Sequence, residues 1–412
     1  MSVVDSLSVM VVQTGARRSY AVPRMLERAG VLSAFFTTFA FPDSVQARLI
    51  ANALKVLLFR KAGSIDRRRV YGVSPERVNV ALFAEFDGLV AKIRSGSSLD
   101  QRLRVSRHLG SAVCRTFTSG PNVALIVDDS GGPEMIRTLK GHGLKVALDM
   151  VVTPLAHEQT YLAAQEFPVW RGATYSTAER ARYLHMYREV IREVDLILYP
   201  SLGVLEGLKA IPEFDPGRAV HVPYPLGTTV ERQVKPVPGR ILFAGSDPLR
   251  KGLPYLAHAA IELRNRGLDI QVVIAGQVPD KIKSLPECQS LMFLGHLSRT
   301  EMKNEMAKAD IFCLPSLAEG TAQVTLEALA AGVPCVVTLS AGAPVVNNVN
   351  GFVIPERNVA ALADSLAELV NDRSLRARLS CAAAATAIDF QEAVVAQRLV
   401  RVLHDLHLGS GR

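Results

Sequence analysis

Two glutamates define the chemistry open to this chain: Glu319 and Glu327, with seven residues between them in AEGTAQVTLEALAAGVP. Were the interval wholly helical, they would lie about two turns, roughly 11–12 Å, apart. Carboxylates so spaced hold two different parts of one long ligand and are not set as an acid/base pair on one bond. Upstream, Arg250 and Lys251 stand before Gly252 and after a short apolar run. Fixed positive charge and backbone N–H groups at helix starts are what a diphosphate needs. Near the start, Gly15 is followed by Arg17 and Arg18. His157 and the stretch Gly295-His296-Leu297 complete the residues whose types could touch a polar ligand.

The elements that must position them follow from hydrophobic spacing. Ile311 to Leu314 is an apolar run stopped by Pro-Ser, which predicts a buried strand. Val324, Leu326, Leu329 and Ala330 then follow helical spacing, Gly332 and Pro334 end the helix, and Cys335-Val336-Val337 opens the next strand. Glu319 therefore falls in a loop and Glu327 in the helix of one strand-helix-strand crossover. The same alternation runs backwards through Arg240–Gly245, a helix from Pro254 to Arg266, Ile270–Gly276 and Leu291–His296. Earlier strands are expected at Ser8–Val12, Pro121–Val127, Lys145–Leu148 and before Tyr199-Pro200-Ser201, with a helix at Ala21–Ala29. Gly15 thus lies at the carboxyl end of a strand, where open α/β sheets bind ligands; a surface turn with solvated arginines fits the residues equally. Residues 228–239 read as a polar, proline-bearing linker, and residues 62–120 show no clear period. The expectation is an α/β chain of two doubly wound parallel units.

The order of these features resembles the retaining nucleotide-sugar glycosyltransferases of family 4: strand, Pro-Ser, paired glutamates, LEALAAG-P, strand, then a loop and NGFVIP. The resemblance is specific over about residues 238–370, moderate over 120–235 and weak before. It implies the GT-B fold, two Rossmann-like domains with a cleft between them. Residues 1–230 would bind the acceptor, residues 238–389 the nucleotide sugar, and a last helix at 390–408 would pack back on the first domain. By the same resemblance, Glu319 takes hydroxyls of the donor sugar, Glu327 the ribose hydroxyls, and Lys251 with Arg250 the diphosphate. Amides of Gly320, Thr321, Ala322 and Gln323 touch the phosphates, His296 and Leu297 lie near the base, and Gly15 belongs to the donor site. His157 contacts donor sugar or acceptor. Glu319, His157 and Lys251 are the catalytic set. The sequence departs from the family pattern at Ser246, where an arginine is usual, at Thr321-Ala322, where Phe-Gly is usual, and at Val345, where a glutamate is usual. The family's transfer needs no protein nucleophile, no cofactor and no metal; no D-x-D motif occurs here. The implied function is retaining hexosyl transfer to a glycan or glycolipid in polysaccharide biosynthesis. A catalytically dead nucleotide-sugar binder and a sugar-nucleotide epimerase on the same fold are the alternatives.

Composition narrows the class further. At 412 residues the chain exceeds one ordinary core. Five scattered cysteines with no C-x2-C pair argue against a disulfide framework or a zinc site. No signal peptide or membrane span is read from the sequence, so a cytoplasmic location is expected. The formal net charge is +8, and the excess gathers between Val45 and Arg115, which suggests an anionic partner. Ile50, Ala53, Leu54, Leu57 and Leu58 follow helical spacing ahead of Arg67-Arg68-Arg69. A core helix or a helix docked peripherally on the inner face of an anionic membrane would each give this pattern. No nucleic-acid partner is expected.

Overall fold

The computed structural model describes residues 6–44, 68–117, 119–172, 175–227 and 235–409. The first sheet is built from β1 (Val9–Gln13), β2 (Leu32–Thr37), β5 (Val78–Val80), β6 (Val123–Val127), β7 (Lys145–Asp149), β8 (Leu196–Tyr199) and β9 (Ala219–His221). Two short strands, β3 (Phe41–Pro42) and β4 (Arg69–Val70), pair separately. The second sheet holds β10 (Arg240–Ala244), β11 (Gln271–Ala275), β12 (Met292–Gly295), β13 (Ile311–Leu314), β14 (Cys335–Thr338) and β15 (Gly351–Ile354). Strand orders are β5-β2-β1-β6-β7-β8-β9 and β12-β11-β10-β13-β14-β15. All neighbours pair in parallel. Helices on both faces explain why β1, β6 and β13 read as unbroken apolar runs: every residue in them is buried. The order reverses direction beside β1 in one sheet and β10 in the other, and the loops after these strands face the cleft.

Residues 62–120, without a legible period in sequence, contain β5 and two antiparallel helices, Ala84–Ser95 and Ser98–Thr116. Ser97 caps the second, its hydroxyl accepting from the Asp100 amide at 3.1 Å. The helix anticipated at 46–59 lies outside the described residues. Among those described, no single helix is long and apolar enough to cross a membrane.

Two segments tie the halves together. The helix Ala156–Glu166 and the turn Pro168–Trp170 leave the first sheet and pack on the second sheet's core, which takes in Ala163, Ala164 and Trp170. Tyr255 donates to Glu166 at 2.9 Å and Trp170 Nε1 to Glu287 at 3.1 Å. In the other direction, the helix Glu392–Leu408 returns to the first sheet, where Val395, Leu399, Val402 and Leu403 share a core with Val9, Leu125 and Leu198. Glu392 at its start receives Arg24 at 2.8 Å and Arg28 at 2.5 Å. Leu403→Ala should therefore lower unfolding free energy by about 2–5 kcal/mol, read from the denaturant midpoint; a helix that merely lay on the surface would give a loss near zero.

Candidate active-site cleft

The loop after β1 is shaped by an unusual backbone. Arg18, Ser19 and Tyr20 all adopt left-handed φ values of 50°, 49° and 60°. Left-handed residues other than glycine cost roughly 1–2 kcal/mol each, so the surroundings must hold them. Tyr20 is buried in the core against Phe35. Arg18 pairs with Asp149 at the end of β7 and lies 3.9 Å over the Tyr224 ring. Arg17 reaches Asp128 at 2.6 Å, and Arg102, from the helix Ser98–Thr116, holds Asp128 at 2.7 Å and also pairs with Asp129. The two arginines anticipated as either a surface turn or cleft residues are thus drawn inward. Burial opposes ionisation of both aspartates. At Asp128 the two arginines and the Tyr187 hydroxyl outweigh it and hold the carboxyl below its ordinary value. At Asp129 burial and the neighbouring charge of Asp128 carry it above.

Across the cleft, Lys251 lies 2.7 Å from Glu319 Oε1, and Arg250 pairs with the same oxygen. Arg250 also donates to the Ala318 carbonyl at 2.8 Å and to Asp247 at 3.0 Å. Glu319 is the residue that gathers both cations, and its Oε2 has no hydrogen-bond partner among the described residues. The helix Gln323–Ala330 begins just beyond, with no side chain capping it, so its first-turn amides have no side-chain partner. Beside it opens a cavity of about 490 Å³, lined by Arg18 and Ser19 from the first half and by Leu297, Arg299, Lys303, Gln323 and Glu327 from the second. Burial pushes the Glu327 carboxyl up from its ordinary value, against the pull of Arg299 and Lys303.

Not every anticipated residue is free to meet a ligand. His296 is exposed and the cavity wall begins at Leu297, because β12 ends at Gly295 and the chain turns outward. The Ala322 amide already donates to the Ala341 carbonyl at 3.1 Å. The Gly15 amide is taken by the Thr38 hydroxyl at 3.1 Å. Gly320 lies in the contact between the halves, its carbonyl accepting from Ser201 at 2.6 Å, and Thr321 is buried with its hydroxyl on the Gly320 carbonyl. Glu319, Lys251, Arg250, Gln323, Glu327 and Leu297 remain at the cleft. Asp128, Asp129, Arg102 and Tyr224 were not singled out from sequence. The acids at the carboxyl end of β6 could have been found by the rule applied to Gly15; Arg102 carried no local signal.

His157 sits at the start of its helix between Tyr175 and Tyr183, with ring centroids 4.6 and 5.3 Å away. Its Nε2 is buried without a partner, as is Gln323 Nε2 on the opposite side. Buried polar atoms are usually paired, so these two leave hydrogen-bonding capacity unused. Burial, reinforced by Arg102 and by Arg250 across the cleft, pushes His157 down to about 4. The ring is therefore neutral near pH 7. Because the folded value lies below the ordinary 6.5, the unfolded chain takes up a proton that the native ring refuses as pH falls from 6.5 towards 4. His157 should thus lower stability progressively through that window and not above it. Its ring resonances should titrate near pH 4 by NMR, and His157→Gln should flatten this part of the stability profile; a midpoint near 6.5 would contradict the burial argument.

Residues 238–372 match the family model described as Glycosyl transferases group 1. A GDP-mannose-dependent monoacylated α-(1-6)-phosphatidylinositol monomannoside mannosyltransferase of Corynebacterium glutamicum is 31% identical over 170 residues, 39% of this chain and 43% of that protein. A phosphatidyl-myo-inositol mannosyltransferase of Mycobacterium leprae is 32% identical over 171 residues, 39% of this chain and 45% of its own length. The chain thus spans less than half the length of these two curated relatives. A Salmonella typhimurium glycosyltransferase named for colanic acid biosynthesis is 25% identical over 72% of this chain and 74% of its own. Among solved structures, a sucrose-phosphate synthase from Thermosynechococcus elongatus has a TM-score of 0.63 at 13% identity, covering 98% of this chain and 100% of that one. WaaG, a glycosyltransferase involved in lipopolysaccharide biosynthesis, gives 0.61 at 15%, covering 96% and 99%. Residues 238–372 thus carry a match to the group 1 glycosyltransferases, and along nearly its whole length the chain shares the GT-B fold of these solved structures.

Proposed function

We propose that this chain moves a sugar, with retention, from a nucleoside-diphosphate sugar to a glycan or lipid-linked acceptor. The observation that carries the reading is the gathering of Arg250 and Lys251 on Glu319 beside the uncapped start of the helix Gln323–Ala330. A diphosphate arriving there replaces the carboxylate as the partner of both cations and meets the positive end of the helix. Glu319, released, accepts sugar hydroxyls, and Glu327 in the adjoining cavity takes the vicinal ribose hydroxyls. As the bond from the sugar to the diphosphate breaks, Lys251 and Arg250 neutralise the charge developing on the leaving group. The diphosphate then takes the acceptor's proton on the same face, with no protein nucleophile and no metal. Neutral His157 offers an uncharged hydrogen-bonding group to the sugar or the acceptor. Residues 238–389 form the donor side in this reading. Residues 1–230, with the returning helix at 390–408, form the acceptor side. The names of the mannosyltransferase relatives make GDP-mannose the first donor to test and a glycolipid the first acceptor class. A lipid-linked acceptor in turn favours peripheral attachment to the cytoplasmic face of a membrane.

A thermal-shift panel of UDP, GDP, ADP and their sugars tests donor binding directly, since a ligand at a hundredfold excess over its Kd stabilises by about 2.7 kcal/mol. Lys251→Ala should weaken binding of the responding diphosphate by about 1.5–3 kcal/mol, the worth of a charged hydrogen bond, while the bare nucleoside is unaffected. Glu319→Gln should keep the fold and nucleotide binding and lose most transfer; Glu327→Ala should weaken nucleotide binding. Equal turnover and affinity in all three would remove the site assignment.

Transfer should also survive EDTA, since two side chains and a helix start take the place of a cation. Loss on chelation with recovery on adding manganese or magnesium would show the phosphate chemistry to be metal-assisted instead.

A further inference from the structure

The helix Ala84–Ser95 has an inner face fixed by close packing and an outer face exposed among the described residues. At Gly88 a methyl would collide with the Val105 side chain, so the helix can lie on its neighbour Ser98–Thr116 in one rotation only, with Ala84 buried beneath. That rotation turns Phe86, Leu89 and Ile93 outward at spacings of three and four, one stripe along the surface, continued by Leu82 in the exposed turn before the helix. With Phe83 beside them, these side chains are 48 to 74% exposed. Scattered exposed apolar residues are ordinary, but a continuous stripe with two phenylalanines marks an interaction surface.

Charge identifies the occupant. Lys92 and Arg94 at the end of the stripe, and Arg104, Arg107 and Arg115 along the outer side of the neighbouring helix, are exposed and have no ion-pair partner among the described residues. The acids of the stripe helix are turned away: Glu85 accepts from Thr38 at 3.0 Å and meets Arg68, and Asp87 lies 3.9 Å from His108. An apolar stripe with free basic side chains beside it matches the boundary between anionic headgroups and acyl chains. A water-soluble protein partner would need matching acids as well as an apolar groove. The placement also fits. Glu85 is bonded to Thr38, whose hydroxyl takes the Gly15 amide at 3.1 Å, so the phenylalanine end of the stripe is tied to the loop at the cleft.

We propose that Leu82, Phe83, Phe86, Leu89 and Ile93, together with these basic residues, form a docking surface that beds into an anionic bilayer and holds the cleft beside it. The inference deepens the reading of a lipid-linked acceptor, which gives the docking its purpose, but the surface is tested independently of transfer. Full-length protein is co-sedimented with vesicles of phosphatidylcholine alone and of phosphatidylcholine with phosphatidylglycerol. Binding is expected on the anionic vesicles, weakening with salt. It should fall about tenfold or more in Phe86→Ser/Ile93→Ser and in Lys92→Glu/Arg94→Glu. Both variants should keep the wild-type melting curve and its shift with nucleotide. Wild-type binding by both variants would assign any anchoring elsewhere, and no binding to anionic vesicles would overturn the proposal. So would a concentration-dependent dimer that Phe86→Ser/Ile93→Ser disperses, since a second copy would then cover the stripe. Absent transfer with intact vesicle binding would count against the transferase reading alone.

Discussion

The distance between the two sheets is set where backbone meets backbone at Gly320. A methyl there would collide with the Val151 carbonyl oxygen, and one at Gly342 with the carbonyl of Gly320 itself. The Ser201 hydroxyl closes the contact by donating to the Gly320 carbonyl at 2.6 Å while accepting, at 3.4 Å, from the Val204 amide at the start of its own helix. One side chain thus caps a helix of the first half and clasps a loop of the second. The residues proposed to carry the chemistry adjoin this clasp: Glu319 is next in the chain, and the Tyr224 ring beside Gly320 is the one on which Arg18 rests. Any looser contact would separate the cavity wall contributed by Arg18 from that of Glu327.

Charge in the cleft is balanced in two separate sets. On one side Arg17 and Arg102 face Asp128 and Asp129; on the other Arg250 and Lys251 face Glu319. Moving charges out of water is costly unless each finds a partner, and removing one partner of a buried set exposes that cost. The first set pairs two acids with two bases and is complete. In the second, Lys251 meets Glu319 while Arg250 meets both Glu319 and Asp247, and these acids are less deeply buried than those of the first. This difference in burial separates a scaffold for the strained loop after β1 from a set that solvent reaches.

Much of this was legible in the chain itself. The second half alternates unbroken apolar runs with helical spacing, so Glu319, Glu327, Arg250 and Lys251 could be placed on loops and helix by counting. The first half resisted for a physical reason. The helix Ala84–Ser95 turns its large apolar residues to solvent and packs through Ala84 and Gly88, so its apolar spacing marks the face away from the core and gives no guide to the packing. The pairing of Arg102 with residues some 26 positions later, and the crossing of Ala163, Ala164 and Trp170 onto the other sheet's core, are tertiary facts that no local spacing encodes. One boundary also shifted: the strand expected to reach His296 ends at Gly295.

The helix Glu392–Leu408 has a consequence in time as well as in space. It supplies Val395, Leu399, Val402 and Leu403 to the core of the sheet that begins at Val9. A ribosome releases the strands of the first sheet well before this helix, at about 5–20 residues per second. Throughout translation the earlier half must wait with an apolar face unpaired while the later half, whose sheet is closed by Ile354, is already able to consolidate. The core begun first is thus completed only by a segment made after the whole of the second sheet.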